Sequence, residues 1–232
     1  YKLLENENLS NYDKIQVLEG LGDALAKQNK DKEAKKYYER ALKLAKDKSV
    51  DNEMLDLNTK LANIYAKQGN LREANTITLN TLREASELPK EPALKVQQEV
   101  ADFYNETRQY DNEIKLRKEL LKSVDKAKIK NEVDNLDNKS FSIPTDDKTE
   151  VNTDSLTSQK LNYKIGNAYV QKENYTEAIE YLEKSVEEAG EKEDLEVQKH
   201  ATRKLSEVYA TVGQHVKAIQ TYRNYVDIVD SL

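Results

Sequence analysis

The sequence has no cysteine and no tryptophan, and its 232 residues include only three prolines and six glycines. The absence of cysteine excludes disulfide bonds, thiolate catalysis and cysteine-based metal sites. The shortage of proline and glycine removes the residues that most often end helices. No stretch approaches the roughly 18 consecutive apolar residues of a membrane-spanning helix, so we expect no direct membrane insertion of this segment.

Charged residues make up 34% of the chain, and 43 acidic residues outnumber 37 basic ones. Alanine, leucine, glutamate and lysine are abundant, and the apolar residues recur at three- and four-residue steps. This spacing predicts an all-α protein. A net charge of −6, without a clustered Lys/Arg stripe, argues against nucleic acid as a partner.

A short pattern, a large apolar residue followed by a small one, recurs five times along the chain. Each copy predicts a pair of helices, because a small side chain lets the first helix approach the second closely. An alanine twelve residues later serves the same purpose on the second helix in four of the copies. The predicted packing residues are Gly22, Ala34, Ala62, Ala74, Ala101, Gly166, Ala178, Ser206 and Ala218.

These residues, with a large Tyr or Leu three positions after the small one, resemble the tetratricopeptide repeat (TPR) family. The resemblance implies a right-handed superhelical array of antiparallel helix pairs, an α-solenoid of about five units. The small residues stand 40, 39, 65 and 40 residues apart, which is longer than the usual TPR period of about 34. One departure lies in the third unit, which carries Glu113 where the family pattern has alanine.

The 65-residue step predicts an insertion at 131–158, where Ser, Thr, Asn and Asp crowd together, Pro144 breaks any helix and acidic residues predominate. It divides the chain into units one to three over 1–130 and units four and five over 159–232. We expect a remnant of an earlier helix at 1–8 and a last helix that continues beyond the chain. The loop is either disordered and surrounded by solvent, or it docks on the array through Phe141, Ile143 and Pro144.

No constellation of side chains indicates catalysis, a metal site or a cofactor. The two histidines stand fifteen residues apart without an obvious set of partners. Tyrosine is abundant, but six of the tyrosines fall on core positions of the repeat, where packing explains them. They are Tyr38, Tyr65, Tyr104, Tyr169, Tyr209 and Tyr222.

The TPR resemblance implies that the first helices line a concave face on which a protein or peptide binds. Counting along each unit places Asp23, Asn63, Asp102, Asn167 and Glu207 at one shared position. An asparagine there can hold the backbone of an extended peptide, since an amide both donates and accepts. The alternative is an ordinary solvated face. The candidate ligand-binding residues are Lys60, Asn63, Asp102, Tyr163, Lys164, Asn167 and Arg203.

The last segment, with Tyr222, Tyr225 and 230–232, is similar to the TPR sensor region of bacterial sensor histidine kinases. That resemblance implies two-component signal transduction, a periplasmic location, and a possible homodimer through the C-terminal helix of the full protein. A standalone cytoplasmic scaffold or adaptor that assembles protein partners is the alternative. A third possibility is an accessory domain of some other enzyme.

Overall fold

The computed structural model describes residues 9–48, 51–137 and 156–232. These ranges contain ten α-helices and no strand, so the prediction of an all-α array of about five helix pairs is confirmed. The helices are α1 Asn11–Lys27, α2 Asp31–Lys48, α3 Asp51–Lys67, α4 Leu71–Ala85, α5 Lys90–Glu106, α6 Tyr110–Asp137, α7 Ser158–Gln171, α8 Tyr175–Glu191, α9 Leu195–Thr211 and α10 His215–Asp230.

The chain divides into two compact units, Tyr1–Thr107 and Arg108–Leu232. In the first unit each helix from α1 to α5 packs on the next, and α3 also contacts α5. In the second unit each helix from α6 to α10 packs on the next, and α7 also contacts α9. Contacts in each unit therefore join helices that are near neighbours in the sequence, as in a repeat array.

The turns that end the first helices have a common geometry. The second residue after the helix adopts a positive φ in all five, at Asn29, Gly69, Arg108, Glu173 and Gly213. In four of these turns the next backbone N–H donates back to the helix, in the pairs Lys30 to Leu25, Asn70 to Tyr65, Asn174 to Tyr169, and Gln214 to Tyr209. Such bonds satisfy carbonyls that the helix end leaves without partners.

All nine predicted packing residues are buried. A Cβ atom added to Gly166 would lie 2.8 Å from Cγ of Leu182 and 3.3 Å from its backbone nitrogen. The Ser206 hydroxyl donates to the carbonyl of Ala218 over 2.9 Å and links α9 directly to α10. The α7–α8 and α9–α10 pairs therefore approach closely at these small residues.

Glu113, which stands where the TPR pattern of the third predicted repeat has alanine, is buried in α6. Its side chain is 1% exposed, and its Oε1 lies 2.8 Å from Nε of Arg117, which is equally buried. A buried carboxylate needs a partner of opposite charge, and the residue one turn later supplies it. The alanine of the family pattern is therefore replaced by an ion pair within one helix.

Two sequence predictions need correction. Helix α6 continues to Asp137, so the predicted start of the inserted loop at 131 is too early. Tyr222, predicted to be a core residue, is 54% exposed, because no described helix covers its side of α10. Tyr38, Tyr104 and Tyr209 are buried as predicted. The loop residues Phe141, Ile143 and Pro144 and the remnant at 1–8 lie outside the described residues, and the domain division stays a prediction.

Replacing Gly166 by alanine should lower the free energy of unfolding by about 1 to 3 kcal/mol, because the new methyl group overlaps Leu182. Gly20 is the matched control, since it lies within α1 with no other atom within 4 Å of an added Cβ. Gly20→Ala should raise the free energy of unfolding by about 0.5 to 1 kcal/mol through better helix propensity. Urea unfolding measures both, and shifts of the same sign would contradict the assigned contact.

Candidate functional site

Four repeat-equivalent positions on each first helix form what we call the first-helix face. They lie six, three and two residues before the small packing residue and one residue after it. In the first unit the face consists of Gln16, Glu19, Gly20, Asp23, Asp56, Thr59, Lys60, Asn63, Lys95, Gln98, Glu99 and Asp102. In the second unit it consists of Lys160, Tyr163, Lys164, Asn167, His200, Arg203, Lys204 and Glu207.

In the first unit, Lys60 on α3 is the centre of a carboxylate network that reaches α1. Its ammonium group bonds to Glu19 and lies 3.1 Å from Oδ2 of Asp23 and 3.4 Å from Oδ2 of Asp56. Burial acts to lower the pKa of Lys60, but the hydrogen bonds and charges of these carboxylates outweigh it and raise that pKa. One cation therefore holds three carboxylates from two neighbouring first helices.

Tyr38 and Glu99 extend this network. The hydroxyl of Tyr38, on α2, donates to Oδ1 of Asp23 over 2.7 Å. Burial, followed by the negative charge of Asp56, raises the pKa of the Glu99 carboxyl on α5 to about 7. Lys95, whose Nζ lies 3.7 Å from Oε1 of Glu99, opposes that shift only in part. The face of the first unit therefore has more acid than its cations offset.

The second unit presents a basic face with one pair of rings. The rings of Tyr163 on α7 and His200 on α9 lie 6.4 Å apart between centroids, which joins the two first helices at this face. Nε of Arg203 is 3.2 Å from Oε1 of Glu207, and Nζ of Lys204 is 2.7 Å from Oε2 of the same carboxylate. These are exposed pairs within one helix, so water and a competing ligand can readily replace them.

The same positions thus have opposite charge in the two units. On the first unit, five acids stand against two lysines, and on the second, four bases stand against the single acid Glu207. The helix scaffold is alike at both, since the packing residues and turns repeat. The difference in charge therefore lies in the side chains of the first-helix face and not in the packing residues.

Asn63 and Asn167 occupy equivalent positions, one on each unit. Both side chains are half-buried, and neither amide makes a hydrogen bond to any other side chain or backbone group that the structure describes. An amide that is held by its helix and lacks an internal partner can both donate to and accept from a bound backbone. Their binding role remains a prediction.

The structure distributes the predicted ligand-binding residues between the units. Lys60, Asn63 and Asp102 lie on the first, and Tyr163, Lys164, Asn167 and Arg203 on the second. All except Arg203 are half-buried, and Arg203 is exposed.

Sequence reasoning missed Glu19, Asp56 and Glu99, which are the acidic partners of the network. The signal was present, because Glu19 and Asp23, like Asp56 and Lys60, stand four residues apart and so share one side of a helix. The spacing within one helix does not show that Lys60 of α3 reaches Glu19 and Asp23 of α1. Sequence reasoning also missed that Lys160, Lys164, Arg203 and Lys204 form one basic face.

Among the residues that the structure describes, no group of three or more His, Cys, Asp or Glu side chains is placed to hold a metal ion. None of the described helices combines the length and the apolar character that crossing a bilayer requires.

Family comparisons identify the repeats directly. Residues 15–48 and 156–231 each match a tetratricopeptide repeat model. The chain therefore contains tetratricopeptide repeats in both compact units. No curated protein sequence matches the chain closely enough to count as a relative.

Solved structures agree with this fold. The TPR-like repeats of a chain described as a kinesin light chain of Podosopora anserina match with a TM-score of 0.67 at 15% identity, covering 95% of this chain and 97% of that one. The apo form of RapI matches with a TM-score of 0.69 at 14% identity, covering 100% and 58%. A STAND signal transduction ATPase with a tetratricopeptide repeat sensor, from Pyrococcus horikoshii, matches with a TM-score of 0.71 at 18% identity, covering 99% and 32%. At these identities the likeness establishes the fold alone.

The Glu99 carboxyl predicts a pH dependence of stability. Its pKa is about 7 in the folded chain and ordinarily 4.5, so between these values the folded state binds more protons than the unfolded state. The free energy of unfolding should therefore fall as the pH rises through this window. Glu99→Gln should flatten that slope when urea unfolding is measured at several pH values. Glu91→Gln, an exposed residue of the same helix, should keep it, and an unchanged slope in Glu99→Gln would count against the raised pKa of Glu99.

Proposed function

We propose that this chain is a non-catalytic protein-binding module whose two first-helix faces bind extended segments of opposite charge. The observation that carries the proposal is the contrast between five acids on the first unit and four bases on the second, at equivalent positions. A basic segment suits the first face and an acidic segment suits the second, because complementary charge speeds encounter and disfavours wrong partners.

The half-buried amides supply the part of recognition that does not depend on charge. Asn63 lies seven residues after Asp56 on the acidic face, and Asn167 lies three residues after Lys164 on the basic face, so each amide shares a side of its helix with a charged residue of its own face. A backbone amide of the ligand can pair with each, and a net hydrogen bond of this kind contributes about 0.5 to 1.5 kcal/mol. Charge would select the segment, and the amides would hold it in an extended form.

We place this module in a scaffold or adaptor that assembles protein partners. Similar folds occur in RapI and in the sensor region of a STAND signal transduction ATPase, which supports a role in interaction without requiring catalysis in this chain. We do not infer the partners of this chain from either similar protein. The charged segments that we expect to bind are inferred from the charge contrast between the two faces and not from the fold.

The sensory region of a bacterial two-component histidine kinase is the second candidate. It is favoured by the segment with Tyr222, Tyr225 and 230–232, which is similar to the end of such regions. In that case the array would lie in the periplasm and act through the last helix. The reading frame after Leu232 distinguishes the two roles, since a coiled coil, a membrane span and a kinase core there would favour the sensor.

Charge reversal on the second unit tests the main proposal. A labelled peptide of alternating Glu and Ser should bind the chain, and Arg203→Glu with Lys204→Glu should weaken it about three- to tenfold, because attraction becomes repulsion. The matched control is Lys36→Glu with Arg40→Glu, which makes the same change of charge at two exposed bases on α2, away from the first-helix face. Fluorescence anisotropy measures the dissociation constants. Equal loss in both double variants would show nonspecific attraction, contrary to the proposal.

The amides are tested separately from the charges. Asn63→Ala with Asn167→Ala should weaken a peptide selected from a random displayed library by about three- to tenfold, at unchanged helicity by circular dichroism. Asn80→Ala with Asn224→Ala, two exposed asparagines of second helices, serves as the control and should bind as the unchanged chain does. Undiminished affinity in the first double variant would remove the amides from the site.

A further inference from the structure

Helix α10 carries a row of apolar side chains that face water. We call Val216, Ile219, Tyr222, Val226 and Val229 of the helix, with Leu232 two residues after its end, the outer face of α10, and each of them is between 38% and 72% exposed. The opposite side of the helix packs on α9 through buried Ala218 and half-buried Thr221, Tyr225 and Ile228. A continuous apolar row of this kind on an otherwise polar chain marks a surface that another molecule covers.

The preceding repeat shows which residues of this row correspond to residues that a neighbouring helix covers. Forty residues earlier, α8 carries Ile179, Leu182, Val186 and Ala189 at the positions of Ile219, Tyr222, Val226 and Val229. Those α8 residues are buried or half-buried, and the first three pack with Leu205, Val208 and Tyr209 of α9. This side of α8 is therefore covered by a helix, and the same side of α10 has apolar residues that could pack against a helix.

The repeat does not explain the two ends of the row. Val216 and Leu232 are exposed apolar residues where the preceding repeat has Thr176 and Lys192, which are exposed and polar. These two additional apolar residues extend the surface beyond the part that the corresponding side of α8 uses.

The row is symmetric along the helix. Val216 and Val229, like Ile219 and Val226, are placed evenly about the midpoint between Tyr222 and Arg223. A second α10 that runs antiparallel across it would set Val216 opposite Val229 and Ile219 opposite Val226. We propose that the outer face of α10 binds the same face of a second copy of this chain, with the two helices antiparallel.

Charge supports this direction. Arg223 and Asp230 lie on the same side of α10 as Val216 and Ile219, since seven and fourteen residues bring a helix back to nearly the same side. A parallel pair would set Arg223 beside Arg223 and Asp230 beside Asp230, and like charges oppose association. The antiparallel pair sets Arg223 against the ring of Tyr222 and brings Asp230 to the N-terminal end of the other helix, where a negative charge is favoured.

The oligomeric state tests the proposal. Light scattering after size exclusion should give twice the 26.7 kDa of one chain, and Ile219→Glu should return it to one chain mass at unchanged helicity. Leu79→Glu, a 60% exposed leucine on α4, is the matched control and should remain dimeric. A single-chain mass at every concentration, or a dimer that Ile219→Glu leaves intact, would overturn the proposal.

Cross-linking tests the direction, and the absence of native cysteine makes it simple. Val216→Cys and Val229→Cys are made as separate single variants, mixed, and oxidised. The antiparallel pair predicts a disulfide between the two different variants and little of either with itself. Efficient cross-linking of each variant to itself would show a parallel pair and overturn the assignment.

Discussion

The closeness of the paired helices at one small residue is the constraint on which the remaining structure depends. Leu182 occupies the space that a Cβ on Gly166 would need, and the Ser206 hydroxyl reaches the Ala218 carbonyl directly. Because these contacts tolerate no larger side chain, they fix how each first helix lies on its partner. The 40-residue spacing then puts equivalent residues at equivalent places, and the first-helix face follows from that alignment.

Once the core fixes the backbone, the exposed positions are free to differ, and they do. In the first unit Lys60 is nearly committed to Glu19, Asp23 and Asp56, so part of that acidic face stabilises the contact of α1 with α3. In the second unit Arg203 and Lys204 pair with Glu207 of their own helix, at solvent-accessible sites where such pairs are weak. These two bases are thus more available to a partner than Lys60, while the acidic face balances binding against internal support.

The sequence predicts whatever the repeat itself determines. The small size and repeat spacing of Gly166 and Ala218 predict helix contacts, and both residues are buried in the structure. It could not predict features that depend on a neighbour. Tyr222 stands at the position of buried Leu182 yet is exposed, since burial there requires a helix on the far side. The network around Lys60 likewise needs α1 beside α3, and the sequence shows only each helix alone.

The two surfaces of the second unit lie on different helices, and this separation has a consequence for binding. The basic residues Arg203 and Lys204 belong to α9, whereas the outer face belongs to α10 and points away from the side that packs on α9. Self-association through α10 would therefore leave the basic face open and place two copies of it in one assembly. A partner with two acidic segments would then bind the second at a raised effective concentration, so weak exposed charges could give appreciable affinity without any new contact. That gain requires a linker long enough to reach both copies, which makes the affinity depend on the spacing of the segments more than on their sequence.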